Sequence, residues 1–222
     1  EYQLLMFQHL NNSNLNYVIS MFLKHLQSKF NYKKYLTWSI FFLFLAICGM
    51  IKAQDKEMIL DDLSTPGITS QKQSWAFFTD GVMGGLSQGK AIISSIDGIN
   101  CYHMTGNVTT ENNGGFIQIR NQLKPTISTK EFEGIYLKVY GNKENYSVHV
   151  RTALTMAPWQ YYKYNFKSNN KWNIIKAPFS DFKKSNIYQP SGLVGQKIKS
   201  IGLVAGFKDF EADICLSEIG FY

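Results

Sequence analysis

The chain predicts an all-β domain, an antiparallel two-sheet sandwich arranged as a jelly roll, behind an N-terminal hydrophobic leader helix. Three observations predict it. From Met58 to Tyr222 the sequence runs in short segments that alternate apolar and polar residues, broken by Gly, Asn, Asp and Pro. Beyond a single turn at Ser180–Lys184, no window repeats its apolar residues at helical spacing. Two glycine pairs, Gly84-Gly85 and Gly114-Gly115, sit among polar turn formers and mark tight corners between strands.

Eleven strands are expected, in the order Met58–Leu60, Trp75–Phe78, Lys90–Ile96, Cys101–Gly106, Phe116–Asn121, Gly134–Tyr140, Tyr146–Thr152, Gln160–Phe166, Trp172–Pro178, Lys199–Gly206 and Ala212–Phe221. Ile135, Leu137 and Val139 alternate with Tyr136, Lys138 and Tyr140. Tyr146, Val148 and Val150 alternate with Ser147, His149 and Arg151. A period of two is the mark of a strand with one face in a core and the other in water. Residues 62–74, rich in Ser, Thr and Gln around Pro66-Gly67, read as a loop. One domain, residues 58–222, accounts for all of this.

The leader is separate. Lys24, Lys29, Lys33 and Lys34 precede a stretch with no charge until Lys52, centred on Phe41-Phe42-Leu43-Phe44-Leu45, and no acid lies between Glu1 and Asp55. Residues 21–53 therefore read as an export signal, cleaved after Ala53, which makes the domain periplasmic or extracellular. The alternative is a membrane anchor through residues 35–51, a little short of the ~20 residues that span a bilayer comfortably. Residues 1–20 read as an upstream extension, with Met21 or Met6 as initiator.

The formal charge of +7 comes largely from this leader. From Gln54 onward 18 basic residues face 15 acidic ones, and no basic block points to nucleic acid. No GxGxxG and no Lys-Ser/Thr after the glycine pairs support a nucleotide or phosphate loop. No His, Cys or acidic cluster has metal-ligand spacing and no nucleophile elbow is present, so neither cofactor nor catalysis is expected. Cys101 and Cys215 are the cysteines beyond the leader. They form a disulfide or remain two buried thiols, and both readings stand.

Candidate binding residues fall in two groups. Asp80-Gly81-Val82-Met83-Gly84-Gly85-Leu86-Ser87 and Glu111-Asn112-Asn113-Gly114-Gly115-Phe116 are corner loops. In them Asp80 either caps backbone N–H groups or meets a ligand, and Met83 and Phe116 plug the core or face a partner. Glu111, with Asn112 and Asn113, either pairs with Arg120 or Arg151, the only arginines, since a half-buried guanidinium needs a carboxylate, or leaves an arginine to grip a ligand. The second group is aromatic and polar: Tyr136, Tyr140, His149, Arg151, Trp159 and Tyr162. Rings with a few polar donors make a platform for a sugar or for a partner's apolar anchor.

Trp75 followed by the Asp80–Ser87 motif, then Gly106-Asn107-Val108-Thr109 leading into Glu111–Phe116 and Arg120, resembles the complex I intermediate-associated protein 30 family. Gly134–Val139, Tyr146–Arg151, Trp172 with Pro178-Phe179, and Ile201-Gly202-Leu203 fit the same pattern, over about Ile59 to Tyr222. The resemblance implies a galactose-binding-domain-like jelly roll, related in shape to carbohydrate-binding modules. It also implies a non-catalytic role, because mitochondrial members assist assembly of respiratory complex I on the matrix side. The expected function is an assembly or interaction factor for a protein client, including a membrane complex. The alternative is an exported carbohydrate-binding module.

Overall fold

The structure is a computed structural model and describes residues 19–21, 24 and 56–222. The leader and its cleavage site lie outside the described residues. Residues 56–222 form a two-sheet antiparallel β-sandwich with little helix.

The first sheet has the order β3 (Gln88–Ile96), β4 (Ile99–Val108), β12 (Phe210–Phe221), β6 (Gly134–Gly141), β9 (Asn173–Pro178), with β1 (Met58–Asp61) also on β12. The long strand β12 is its spine. It meets β4 from Phe210 to Leu216 and β1 from Ile219 to Phe221, with β6 on its other edge. The second sheet has the order β10 (Lys183–Lys184), β8 (Tyr162–Lys167), β7 (Asn145–Thr152), β11 (Lys197–Gly206), β5 (Phe116–Ser128), β2 (Ala76–Thr79). Here β11 lies in the middle, paired with β7 on one side and β5 on the other.

The alternation read from the sequence decides what lies between the sheets. Leu137 and Val139 of β6, Met104 of β4 and Ile214 of β12 face Ile119 of β5, Val148 and Val150 of β7 and Leu203 of β11, all buried in one core. Each such side chain stabilises the fold by about 1.5–3 kcal/mol through burial.

All eleven expected strands are present, several longer than expected; β5 extends to Ser128. The expected turn at Ser180–Lys184 is a short 3-10 turn at Phe179–Asp181 followed by a twelfth strand, β10, paired with β8. Two residues are too few to show a period, so only the partner strand reveals β10. The 62–74 loop holds one isolated bridge, Ile68 to Ser74. Cys101 and Cys215 are joined as a disulfide across β4 and β12, with Cα atoms 5.4 Å apart. Both are fully buried. They occupy positions that alternate with the core residues Tyr102, Met104, Ile214 and Leu216.

Candidate functional site

The two glycine-rich corners meet around one carboxylate. Asp80 is fully buried and opens a 3-10 turn, Asp80–Met83, which Gly84 ends in the left-handed region at φ 90°. Its carboxylate accepts from the backbone N–H of Gly115 at 2.5 Å and of Phe116 at 3.2 Å. It also accepts from the Ser87 N–H at 3.0 Å and the Ser87 hydroxyl at 2.5 Å. Desolvation pushes the carboxyl up, but these hydrogen bonds together outweigh it and hold its pKa below the ordinary value. A Cβ on Gly85 or Gly114 would collide with this carboxylate. The glycines are there for close approach, and Asp80 positions the corner rather than meeting a partner.

That corner borders one end of a trough on the outer face of the second sheet. Along β11 the outward positions are Ser200, Gly202, Val204 and Gly206, while Ile201, Leu203 and Ala205 alternate into the core. Small side chains on the central strand make a floor, and taller ones on both neighbours make walls. Arg120 on β5 and His149 on β7 both stand opposite Gly202, and Gln118 and Ser147 stand opposite Val204. The wall side chains close over this floor, leaving Ser200 and Val204 only 2% and 1% exposed. At the Gly206 end the trough opens into a cleft of about 340 Å³ lined by Ser147, Lys163, Asn165 and Phe207.

The wall side chains are held in place. The Arg120 guanidinium lies 4.6 Å over the Phe78 ring and has no carboxylate partner among the described residues. Arg151 donates through Nη2 to the carbonyls of Thr155 (3.2 Å) and Ala157 (2.8 Å), and its buried Nε has no acceptor. Burial lowers the pKa of both arginines, and for Arg151 the charge of Arg120 adds to this. His149 stacks on Tyr161 with ring centres 4.1 Å apart, and its Nε2 lies 3.1 Å from the Ser147 hydroxyl. Burial, reinforced by Lys163, pushes this imidazole down to about 3. Lys163 sits 5.1 Å over the Phe207 ring.

Exposed apolar side chains border both ends. Val82, Met83 and Phe207 flank the Asp80 corner, where the Phe207 N–H donates to the Gly115 carbonyl at 2.7 Å. Met156, Trp159, Ile187 and Tyr188 crown the opposite end, on two loops joined by Ser185 Oγ donating to the Trp159 carbonyl at 2.8 Å.

Several sequence expectations are corrected. The aromatic group divides between the two sheets: Tyr136 and Tyr140 lie on β6 in the first, His149 and Arg151 on β7 in the second. Tyr136 donates to Glu218 at 2.8 Å and Tyr140 packs against Trp172. Tyr162 is fully buried and donates to the Pro190 carbonyl at 2.9 Å; its neighbour Tyr161 faces outward in its place. Met83 is 64% exposed rather than a core plug, and Phe116 lies on the outer face. Neither arginine has an acid among the described residues: Glu111 and Asn112 are exposed on a 3-10 turn, and a ring and two carbonyls take the carboxylate's place. Of the paired glycines, Gly84 and Gly115 carry a positive φ, at 90° and 125°, whereas Gly85 and Gly114 serve close approach instead. The trough floor was not foreseen, although its signal was present in the small residues alternating along β11.

A likeness in fold accompanies this geometry. The family 11 carbohydrate-binding module of a cellulosomal cellulase of Clostridium thermocellum superposes with a TM-score of 0.56 at 18% identity, covering 75% of this chain and 94% of that one. The same module in complex with a β-1,3-1,4-mixed-linked tetrasaccharide gives 0.55 at 18% identity, covering 74% and 94%. At such identity the likeness concerns fold alone. No curated protein matches the chain in sequence. The model of the complex I intermediate-associated protein 30 family matches residues 63–216, from the loop after β1 through most of β12. This stretch holds both glycine corners and every strand of the trough, and the chain belongs to the complex I intermediate-associated protein 30 (CIA30) family.

Proposed function

We propose that this domain is a non-catalytic docking module that holds a segment of a protein client along the trough of the second sheet, as an assembly or interaction factor. The observation that carries the reading is the floor of small residues on β11 between side chains that are already oriented, with exposed apolar residues at both ends. Preoriented walls lose little freedom on binding, and exposed aromatic and aliphatic side chains at the ends supply anchors. A family named for association with an intermediate of complex I supports a client within a membrane complex. The Ser147–His149 pair supports no hydrolytic role: an imidazole held near 3 is a poor proton acceptor at neutral pH, and no acid among the described residues orients it.

The test is a photo-cross-linking amino acid at Gln118 in the trough and, as control, at the exposed Ile174 on the first sheet. The expected result is one client cross-linked from Gln118 in the native membrane fraction and none from Ile174. Equal yields from both sites would remove the reading. An export leader cleaved after Ala53 goes with this proposal; a mature chain beginning at Gln54 by mass spectrometry supports it, and one beginning before Lys24 refutes it.

A second reading, carbohydrate binding, is favoured by Trp159, which is 65% exposed beside the trough. It predicts glycan-array binding that is lost in Trp159→Ala.

A further inference from the structure

The two sheets differ sharply in charge. The six strands of the second sheet contain nine Lys or Arg and no Asp or Glu. The six strands of the first contain three Lys and four acids. The near-neutral composition of the domain conceals this separation, because the fold sorts the charges onto different faces.

The trough concentrates the imbalance. Arg120, Arg151, Lys163 and Lys199 stand on its walls or at its end, and none has a carboxylate partner among the described residues. Among the described residues Arg120 has no hydrogen-bond acceptor, so its fork of N–H donors is open to a ligand while Phe78 fixes its plane. Lys199 donates to the Thr155 carbonyl at 3.0 Å, the same oxygen that Arg151 uses. Cations gathered this way repel one another, and an arriving anion relieves that repulsion.

We infer that the occupant of the trough is an extended acidic peptide segment whose carboxylates meet Arg120 and the cations around it. This rests on the docking reading above and names the chemistry of its partner. The row of side chains that covers Ser200 to Gly206 runs the length of seven strand residues and matches an extended peptide of about 20 Å laid across it. Phe78, Phe207 and Tyr161 each already carry Arg120, Lys163 or His149 on one face, so the rings most open to a sugar, Trp159 and Tyr188, stand beyond the trough's end and not along the cations. The apolar residues at the two ends receive apolar side chains flanking the acids. The chain's own leader is not the occupant, since it has no acid between Glu1 and Asp55.

The experiment uses a fluorescein-labelled seven-residue peptide alternating Leu and Glu, its twin with Gln for every Glu, tetragalacturonate, and a β-1,3-1,4-mixed-linked tetrasaccharide. In fluorescence anisotropy at low salt the Glu peptide is expected to bind about tenfold more tightly than the Gln twin, the effect of one well-placed charged contact. Raising salt to about 0.5 M narrows the gap, as screening requires. Arg120→Gln, and independently Lys163→Gln, lower Glu-peptide affinity several-fold, and by more than they lower that of the Gln twin, without moving the melting temperature. Equal affinity for the two peptides overturns the inference. So does binding of tetragalacturonate without the Glu peptide, which assigns the cations to an acidic glycan, and so does binding of the neutral tetrasaccharide alone. If Gln118 cross-links its client while the two peptides bind alike, docking stands and the acidic partner falls. If cross-linking fails, docking itself falls.

Discussion

Asp80 organises more of the local structure than any other single side chain. It accepts four hydrogen bonds from two loops more than twenty residues apart in sequence, and one glycine of each pair, Gly85 and Gly114, is small because of it. Asp80→Asn keeps the shape but turns an amide NH₂ toward N–H donors, so it is expected to destabilise the domain by about 3 kcal/mol in denaturant titrations. A loss under about 0.5 kcal/mol would show that the corner holds without the charge. His149 sets a different expectation. Its folded pKa of about 3 lies below the ordinary 6.5, so the neutral ring is favoured in the folded state. Its contribution is complete above pH 6.5 and is lost as acid protonates the unfolded chain first, between about pH 6.5 and the folded value. Over pH 4–6, His149→Gln is expected to reduce the slope of stability against pH by about 1.4 kcal/mol per unit, one proton's worth. An unchanged slope would mean that the ring is hydrated in the folded state.

Among the elements, β11 is the one whose two faces have separate tasks. Its core face is Ile201, Leu203 and Ala205; its trough face is Ser200, Gly202, Val204 and Gly206. A Cβ on Gly202 would lie 3.1 Å from the Ile119 carbonyl oxygen and 3.3 Å from the Gln118 side chain. Gly202→Leu is therefore expected to cost about 1–2 kcal/mol of stability and to abolish client cross-linking from Gln118 by filling the floor. Retained cross-linking would place the client elsewhere. The strands themselves were legible: period-two alternation located all eleven, because facing a core is a local property of a strand. Which polar face of β8 points outward was not. Aromatics fill both faces of Trp159–Phe166, and Tyr162 and Tyr161 exchange places according to which side β7 and β10 present to the core. The ring-and-cation pairs were hidden for the same reason, since Phe78 and Arg120 meet only after β2 and β5 align.

At the scale of the whole molecule, the disulfide and the charge separation both depend on topology. Cys101 and Cys215 are 114 residues apart and are joined across β4 and β12. Closing so long a loop restricts the unfolded chain, and reduction is expected to lower stability by about 3–5 kcal/mol in chain-entropy terms. Unfolding compared with and without dithiothreitol checks this; coincident curves would mean that two thiols suffice. The sheets separate nine cations from four acids although residues of both kinds are interleaved along the chain, because successive strands cross between layers. A corner built on one buried carboxylate then fixes where the cationic face ends.

From its residues alone the chain determined a strand-rich domain, its glycine corners and its family, since alternation, turn chemistry and motif order are all local. Tertiary structure decided which aromatics are buried, where the trough runs and which cations share it. Those outcomes depend on partners far away in sequence, whose register and layer no local pattern encodes.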